Sequence, residues 1–115
     1  MSKRNERLYF TDILESICAI EAYTKNLTVE EFARDRKTHN ATIREFEIIG
    51  EAVRHLSDQT IKKYPDVEWR DIIDFRNLFI HEYFGVDLEM VWNIIIDDLS
   101  SLKLAAEEFL NTEDV

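Results

Sequence analysis

Phe75-Arg76-Asn77-Leu78-Phe79-Ile80-His81-Glu82-Tyr83-Phe84 is a mostly apolar stretch of helical length that carries an arginine, a histidine and a tyrosine at fixed spacing. Successive residues of an ideal helix turn about 100° and rise about 1.5 Å. Arg76 and Tyr83 then share one face, roughly 20° apart, whereas His81 sits roughly 140° from Arg76 and about 7.5 Å further along the axis. Asn77 falls within about 40° of His81. A helix that only buries an apolar stripe needs neither a cation nor an imidazole near its C-terminal end. The stretch therefore reads as a core helix that also carries chemistry.

The flanks extend the same pattern. Pro65-Asp66 leads to Trp69, and a helix is predicted from about there to Phe84, with Gly85 placed as a C-cap. Asp87 is positioned to cap a last helix over about Leu88–Leu110, whose apolar stripe uses Val91, Ile94 or Ile95, Leu99, Leu102, Ala106 and Phe109. Upstream, Ile43, Phe46, Ile49, Val53 and Leu56 mark a helix starting near Ala41. Gly50 in its interior costs about 1 kcal/mol relative to alanine and suggests a close backbone approach. Tyr9, Ile13, Ile17, Ile20 and Tyr23, with Leu14 and Cys18 beside them, mark a helix over Leu8–Lys25, and residues 1–7 read as a frayed end. Between these long helices, Thr28-Val29-Glu30-Glu31 has the form of a capping box. Asp35 to Asn40 reads as a kink or an exposed face, and Thr60–Lys63 as a single helical turn.

Two glycines and one proline in 115 residues leave few turns, which favours an all-α chain. The predicted fold is an up-down helical bundle of four main helices with short extra helical turns, a single domain over 1–115 with its core at about 8–110. Apolar content of 45% and charged content of 33% describe a globular chain. Its single cysteine, Cys18, excludes an internal disulfide, and no apolar run is long enough for a bilayer. No signal pattern opens the sequence, so a cytoplasmic protein without membrane contact is expected.

A net charge of −10 opposes nonspecific binding to a polyanion. The charge is uneven, however: four Lys/Arg and one Asp lie between Arg34 and Arg44, whereas eight acids and one lysine follow from Asp87 onward. Any contact with nucleic acid must then be local.

The three histidines, His39, His55 and His81, are 16 and 26 residues apart, so none shares a helical turn with another and no metal site is expected. Isolated glycines exclude a phosphate-binding loop. No cofactor is implied. Arg76 and His81 suit phosphodiester chemistry instead. An arginine holds a phosphate through charge-assisted hydrogen bonds, and a histidine can take a proton from a ribose 2′-hydroxyl or give one to the leaving 5′-oxygen. Their divergence on a straight helix, and the need for both a base and an acid, call for a loosened helix end or for two copies facing each other across a two-fold axis. Asn77 either orients the imidazole of His81 or faces water. The plain alternative for Arg76 is an ion pair with Asp74, Glu82 or an acid on another helix, and Trp69 and Trp92 read as core or interface anchors.

Arg76-x4-His81-x-Tyr83 resembles the signature of the HepT branch of HEPN domains, small helical bundles that commonly dimerise. Thr28-Val-Glu-Glu-Phe, Arg44-Glu-Phe-Glu-Ile-Ile-Gly-Glu-Ala, Trp69-Arg-Asp-Ile-Ile, Arg76-Asn, and Val86-Asp87 followed by Val91-Trp92 resemble it in the expected order, over roughly residues 8–110. The resemblance implies a ribonuclease toxin of a toxin–antitoxin pair, with Arg76 and His81 catalytic and Asn77 supporting. It also implies a homodimer and a minimal nucleotidyltransferase antitoxin that transfers AMP to Tyr83. The competing class is a HEPN-like dimer that binds a nucleotide or partner without cleaving RNA, and a third reading is a pure interaction bundle.

Overall fold

The computed structural model describes residues 3–74 and 87–112. Among these there is no strand. The chain runs through α1 (Lys3–Thr24), α2 (Val29–Arg34), α3 (Arg36–Arg54), α4 (Asp58–Lys63), α5 (helical residues 69–74), α6 (Leu88–Asp97) and α7 (Leu99–Thr112). The all-helical bundle expected from the turn-poor sequence is what forms.

The breaks between helices have local causes. Asn26 takes a left-handed backbone (φ 64°), which ends α1, and asparagine tolerates that region better than most residues. Thr28 and Glu31 then form the anticipated capping box: Glu31 N–H donates to Thr28 Oγ1 at 3.1 Å, and Thr28 N–H donates to Glu31 Oε1 at 2.9 Å. Asp35 closes α2 and caps α3 in one residue, so the polar stretch from Asp35 is a kink followed directly by helix. Helix α3 thus begins at Arg36 rather than near Ala41. Ser57 caps α4 and Asp87 caps α6, the latter accepting from Glu89 N–H and Met90 N–H. The helix expected over Leu88–Leu110 is instead two, separated at Asp98.

Helix α1 lies at the centre, packed against α3 on one side and α7 on another, while α6 packs on α7 and on α2. Its buried stripe is Glu6, Phe10, Ile13, Ile17, Ile20 and Thr24. Ile13, Ile17 and Ile20 of the expected stripe are fully buried, but its margins are not: Tyr23 and Cys18 are exposed, and Tyr9 is half-buried. Phe10 wins the core position because it meets Phe109 (ring centroids 4.5 Å) and the edge of Tyr64 (6.3 Å). Tyr9 instead stacks at 4.9 Å on His55 at the rim.

The first residues of α1 are not a frayed end. Glu6, 4% exposed, accepts from Ser57 N–H and from the Thr60 hydroxyl, each at 2.7 Å, and Arg7 donates to the Leu110 carbonyl at 3.0 Å. These contacts tie the start of α1 to α4 and to the end of α7. Gly50 is buried on α3 beside Ile49 and Val53. Thr42, also buried on α3, has no hydrogen-bond partner for its hydroxyl among the described residues, an arrangement with a typical cost of about 1–3 kcal/mol.

Candidate functional site

Arg76, Asn77, His81 and Tyr83 lie outside the described residues, as does Gly85. The frame on either side of them is well defined. On the incoming side, Trp69 is buried and its indole N–H donates to the Tyr64 carbonyl at 3.0 Å, which locks the turn before α5. Val67 and Ile72 are buried alongside, so α5 enters the motif with its apolar face already seated. On the outgoing side, the Asp87 cap starts α6 and Val91 is fully buried one turn later. Trp92 packs on Phe32 of α2 at 5.1 Å between ring centroids. Both tryptophans therefore serve as packing anchors on the two arms of the chain that carry the motif.

The other two histidines have surface roles. The Nδ1 of His39 lies 3.2 Å from the Phe32 carbonyl, with its ring edge-on to Phe32. His55 stacks on Tyr9 and lies 3.3 Å from Glu51 Oε2. Among the described residues no group of three His, Cys, Asp or Glu side chains could hold a metal ion.

The electrostatics around the frame are unequal. Asp98, at the α6–α7 break, has its carboxyl pushed above its ordinary value, mainly by burial and then by Asp71, Glu68 and Asp97. That side of the frame, formed by the start of α5 and the α6–α7 break, is acidic. The α2–α3 junction, where α2 packs on α6, carries Arg34, Arg36 and Lys37, all exposed. A cleft of about 330 Å³ lined by Tyr9, Asp12, Arg44, Glu47, Ile48, Glu51 and Ala52 runs between α1 and α3. Its single cation, Arg44, faces Glu47 at 3.7 Å, so the cleft holds no free positive charge.

Sequence reasoning missed Glu6 as the support that pins α4, and so the approach to α5. A signal was present: the spacing of four and three through Phe10, Ile13, Ile17 and Ile20 continues back to Glu6.

The architecture defines a class, a small all-helical bundle, in whose sequence the Arg76-x4-His81-x-Tyr83 spacing lies between the described parts of α5 and α6. Residues 13–109 match the family described as Ribonuclease HepT-like, and the chain belongs to that family. "Probable ribonuclease HepT" of Thermococcus cleftensis is 40% identical over 101 residues, covering 88% of this chain and 92% of the relative. "Putative RNase MJ0127" of Methanocaldococcus jannaschii is 39% identical over 110 residues, 96% of this chain and 91% of the relative. "Putative RNase TTE0752" of Caldanaerobacter subterraneus is 33% identical over 110 residues, 96% and 98% respectively. No solved structure is a significant match.

Proposed function

We propose that the chain is a metal-independent endoribonuclease and the toxin of a toxin–antitoxin pair. The observation that carries this reading is the intact Arg76-x4-His81-x-Tyr83 motif in a chain that belongs to the HepT-like ribonuclease family. In this reading Arg76 holds the scissile phosphate and offsets the negative charge that builds on it. The ribose 2′-oxygen attacks the adjacent phosphorus as its proton passes to an imidazole. The bond to the 5′-oxygen breaks as a second imidazole returns a proton to it. The products are a 2′,3′-cyclic phosphate and a free 5′-hydroxyl. Two imidazoles are supplied when two copies of the chain bring their motifs to one cleft, which makes the working unit a homodimer. Asn77 orients the His81 ring. A minimal nucleotidyltransferase disarms the site by placing AMP on Tyr83. The reaction takes place in the cytoplasm.

The test is RNA cleavage by the purified protein in EDTA, beside His81→Ala and Arg76→Ala. Cleavage should persist in the chelator and leave cyclic phosphate ends. The His81→Ala rate should fall by about 10²–10⁴-fold with the helical circular dichroism unchanged. A second reading, a dimer that binds a nucleotide or partner without cleaving RNA, draws on the net charge of −10, which opposes polyanion binding. It takes over if the purified protein binds a nucleotide or partner but cleaves no RNA, whereas a parent-like rate in His81→Ala would remove His81 from the catalytic assignment.

A further inference from the structure

We infer that the corner between α2 and α3 is the surface on which this acidic protein holds the backbone of a single-stranded RNA substrate, with Arg34, Arg36 and Lys37 as the phosphate-binding groups. The inference rests on the ribonuclease reading above and adds the substrate contact to it.

Three cations within four residues stand at this corner, all exposed. Lysine or arginine in the first turn of a helix opposes the positive end of the helix dipole, yet α3 starts with Arg36 and Lys37 and has no acid in that turn. The acid between Arg34 and Arg36, Asp35, turns its oxygens to Thr38 and stays ionised beside the cations. One of its oxygens accepts from Thr38 N–H at 3.2 Å and the other from the Thr38 hydroxyl at 2.7 Å. Those two bonds hold its carboxyl below the ordinary range, with smaller help from His39 and Lys37. Glu31 is likewise occupied by the capping box. Glu30, one turn before Arg34, bounds the patch without forming an ion pair to it. Among the described residues neither Arg34 nor Arg36 has a side-chain partner. Two cations elsewhere pair with acids, Lys103 with Glu21 at 2.8 Å and Arg54 with Glu51 at 3.2 Å.

Position points the same way. The corner is docked on α6 through Phe32 and Trp92, and His39 braces Phe32 from the first turns of α3. Trp92 stands five residues after Asp87, about 7.5 Å along the axis, and Asp87 directly follows the segment that contains Arg76, His81 and Tyr83. The basic corner is therefore fixed to the helix that leaves the motif. The acidic α5 and α6–α7 side repels an RNA strand. Exposed guanidinium and ammonium groups suit phosphates, and they carry no base specificity.

The experiment compares Arg34→Gln/Arg36→Gln/Lys37→Gln with a control of equal net charge, Arg54→Gln/Lys62→Gln/Lys103→Gln. Binding of a fluorescein-labelled single-stranded RNA is followed by anisotropy from low to physiological salt, and cleavage of the same RNA is measured as kcat and KM. Each phosphate contact contributes about 0.7 to the slope of log affinity against log salt for a single strand. The corner variant should lose about two units of slope and on the order of tenfold in affinity at physiological salt. Its KM should rise with little change in kcat, while the control tracks the parent protein. Parent-like slope and KM in the corner variant, or an equal loss in the control, would overturn the inference. Failure of the parent protein to cleave any RNA would overturn the ribonuclease reading instead. Retained RNA affinity together with lost capture of a protein partner would assign the corner to that partner.

Discussion

A carboxylate as enclosed as Glu6 is tolerable only with both oxygens hydrogen-bonded, because an unpaired buried charge costs several kcal/mol. Ser57 N–H and the Thr60 hydroxyl supply those bonds, so one side chain on α1 sets both the cap and the position of α4. Tyr83 presents the converse case, a residue whose proposed role depends on what is added to it. AMP on its hydroxyl would bring a phosphate and a nucleoside to the face that an ideal helix shares with Arg76, roughly 20° away. The added phosphate would pair with the guanidinium and repel the RNA backbone. With ATP, magnesium and the cognate nucleotidyltransferase, mass spectrometry should place a single AMP on Tyr83. Tyr83→Phe should take up none and should escape inhibition while still cleaving RNA. AMP found only on another residue would remove Tyr83 from the proposal.

At the scale of elements, caps decide where helices begin. Thr28, Asp35, Ser57 and Asp87 each accept from backbone N–H groups of the turn they start, contributing about 0.5–2 kcal/mol apiece. The break at Asp98 is different, because the residue that interrupts the apolar stripe is an acid among acids. Its carboxyl titrates above its ordinary 3.8, so the folded chain binds more protons than the unfolded chain as pH rises through that value. Stability therefore falls with pH from about the ordinary value up through the folded one, and the deficit persists at neutrality. Asp98→Asn should raise the thermal midpoint at pH 7 and leave it nearly unchanged at pH 3, where both forms are neutral. Calorimetry at the two pH values checks this. An equal shift at both would mean that packing, not charge, is at work.

At the scale of the molecule, α1 holds α3 and α7 together, and Phe10 on α1 packs on both Phe109 and Tyr64. Among the described residues no helix is long and apolar enough to cross a membrane. Leu8, Ile96 and Leu104 are exposed on three different helices, and single exposed apolar residues of this kind are ordinary on a folded chain. The proposed chemistry makes its own demand at this scale. One motif per chain supplies one imidazole, and the reaction uses two. Light scattering at micromolar concentration should therefore give at least a dimer, and a strict monomer that still cleaves RNA would end the composite-site proposal.

The sequence by itself determined the helical class, the Thr28 and Asp87 caps, the anchoring of Trp69 and the ordered motif residues that mark the family. Each depends on neighbours within about one helical turn or on spacing along the chain, so the information is local. The edge of the α1 stripe was not local. Tyr9 and Phe10 both fit a helical stripe, and only the presence of Phe109 and Tyr64 across the core selected Phe10. Burial of Glu6 likewise required α4, which arrives more than fifty residues later with two donors. The cations from Arg34 to Lys37 were legible as charge. That Asp35 turns both oxygens onto Thr38, and that Phe32 fixes this corner to Trp92 on the helix leaving the motif, was decided by tertiary structure. Charge is a property of residues, but which side chains meet is a property of their packed neighbours.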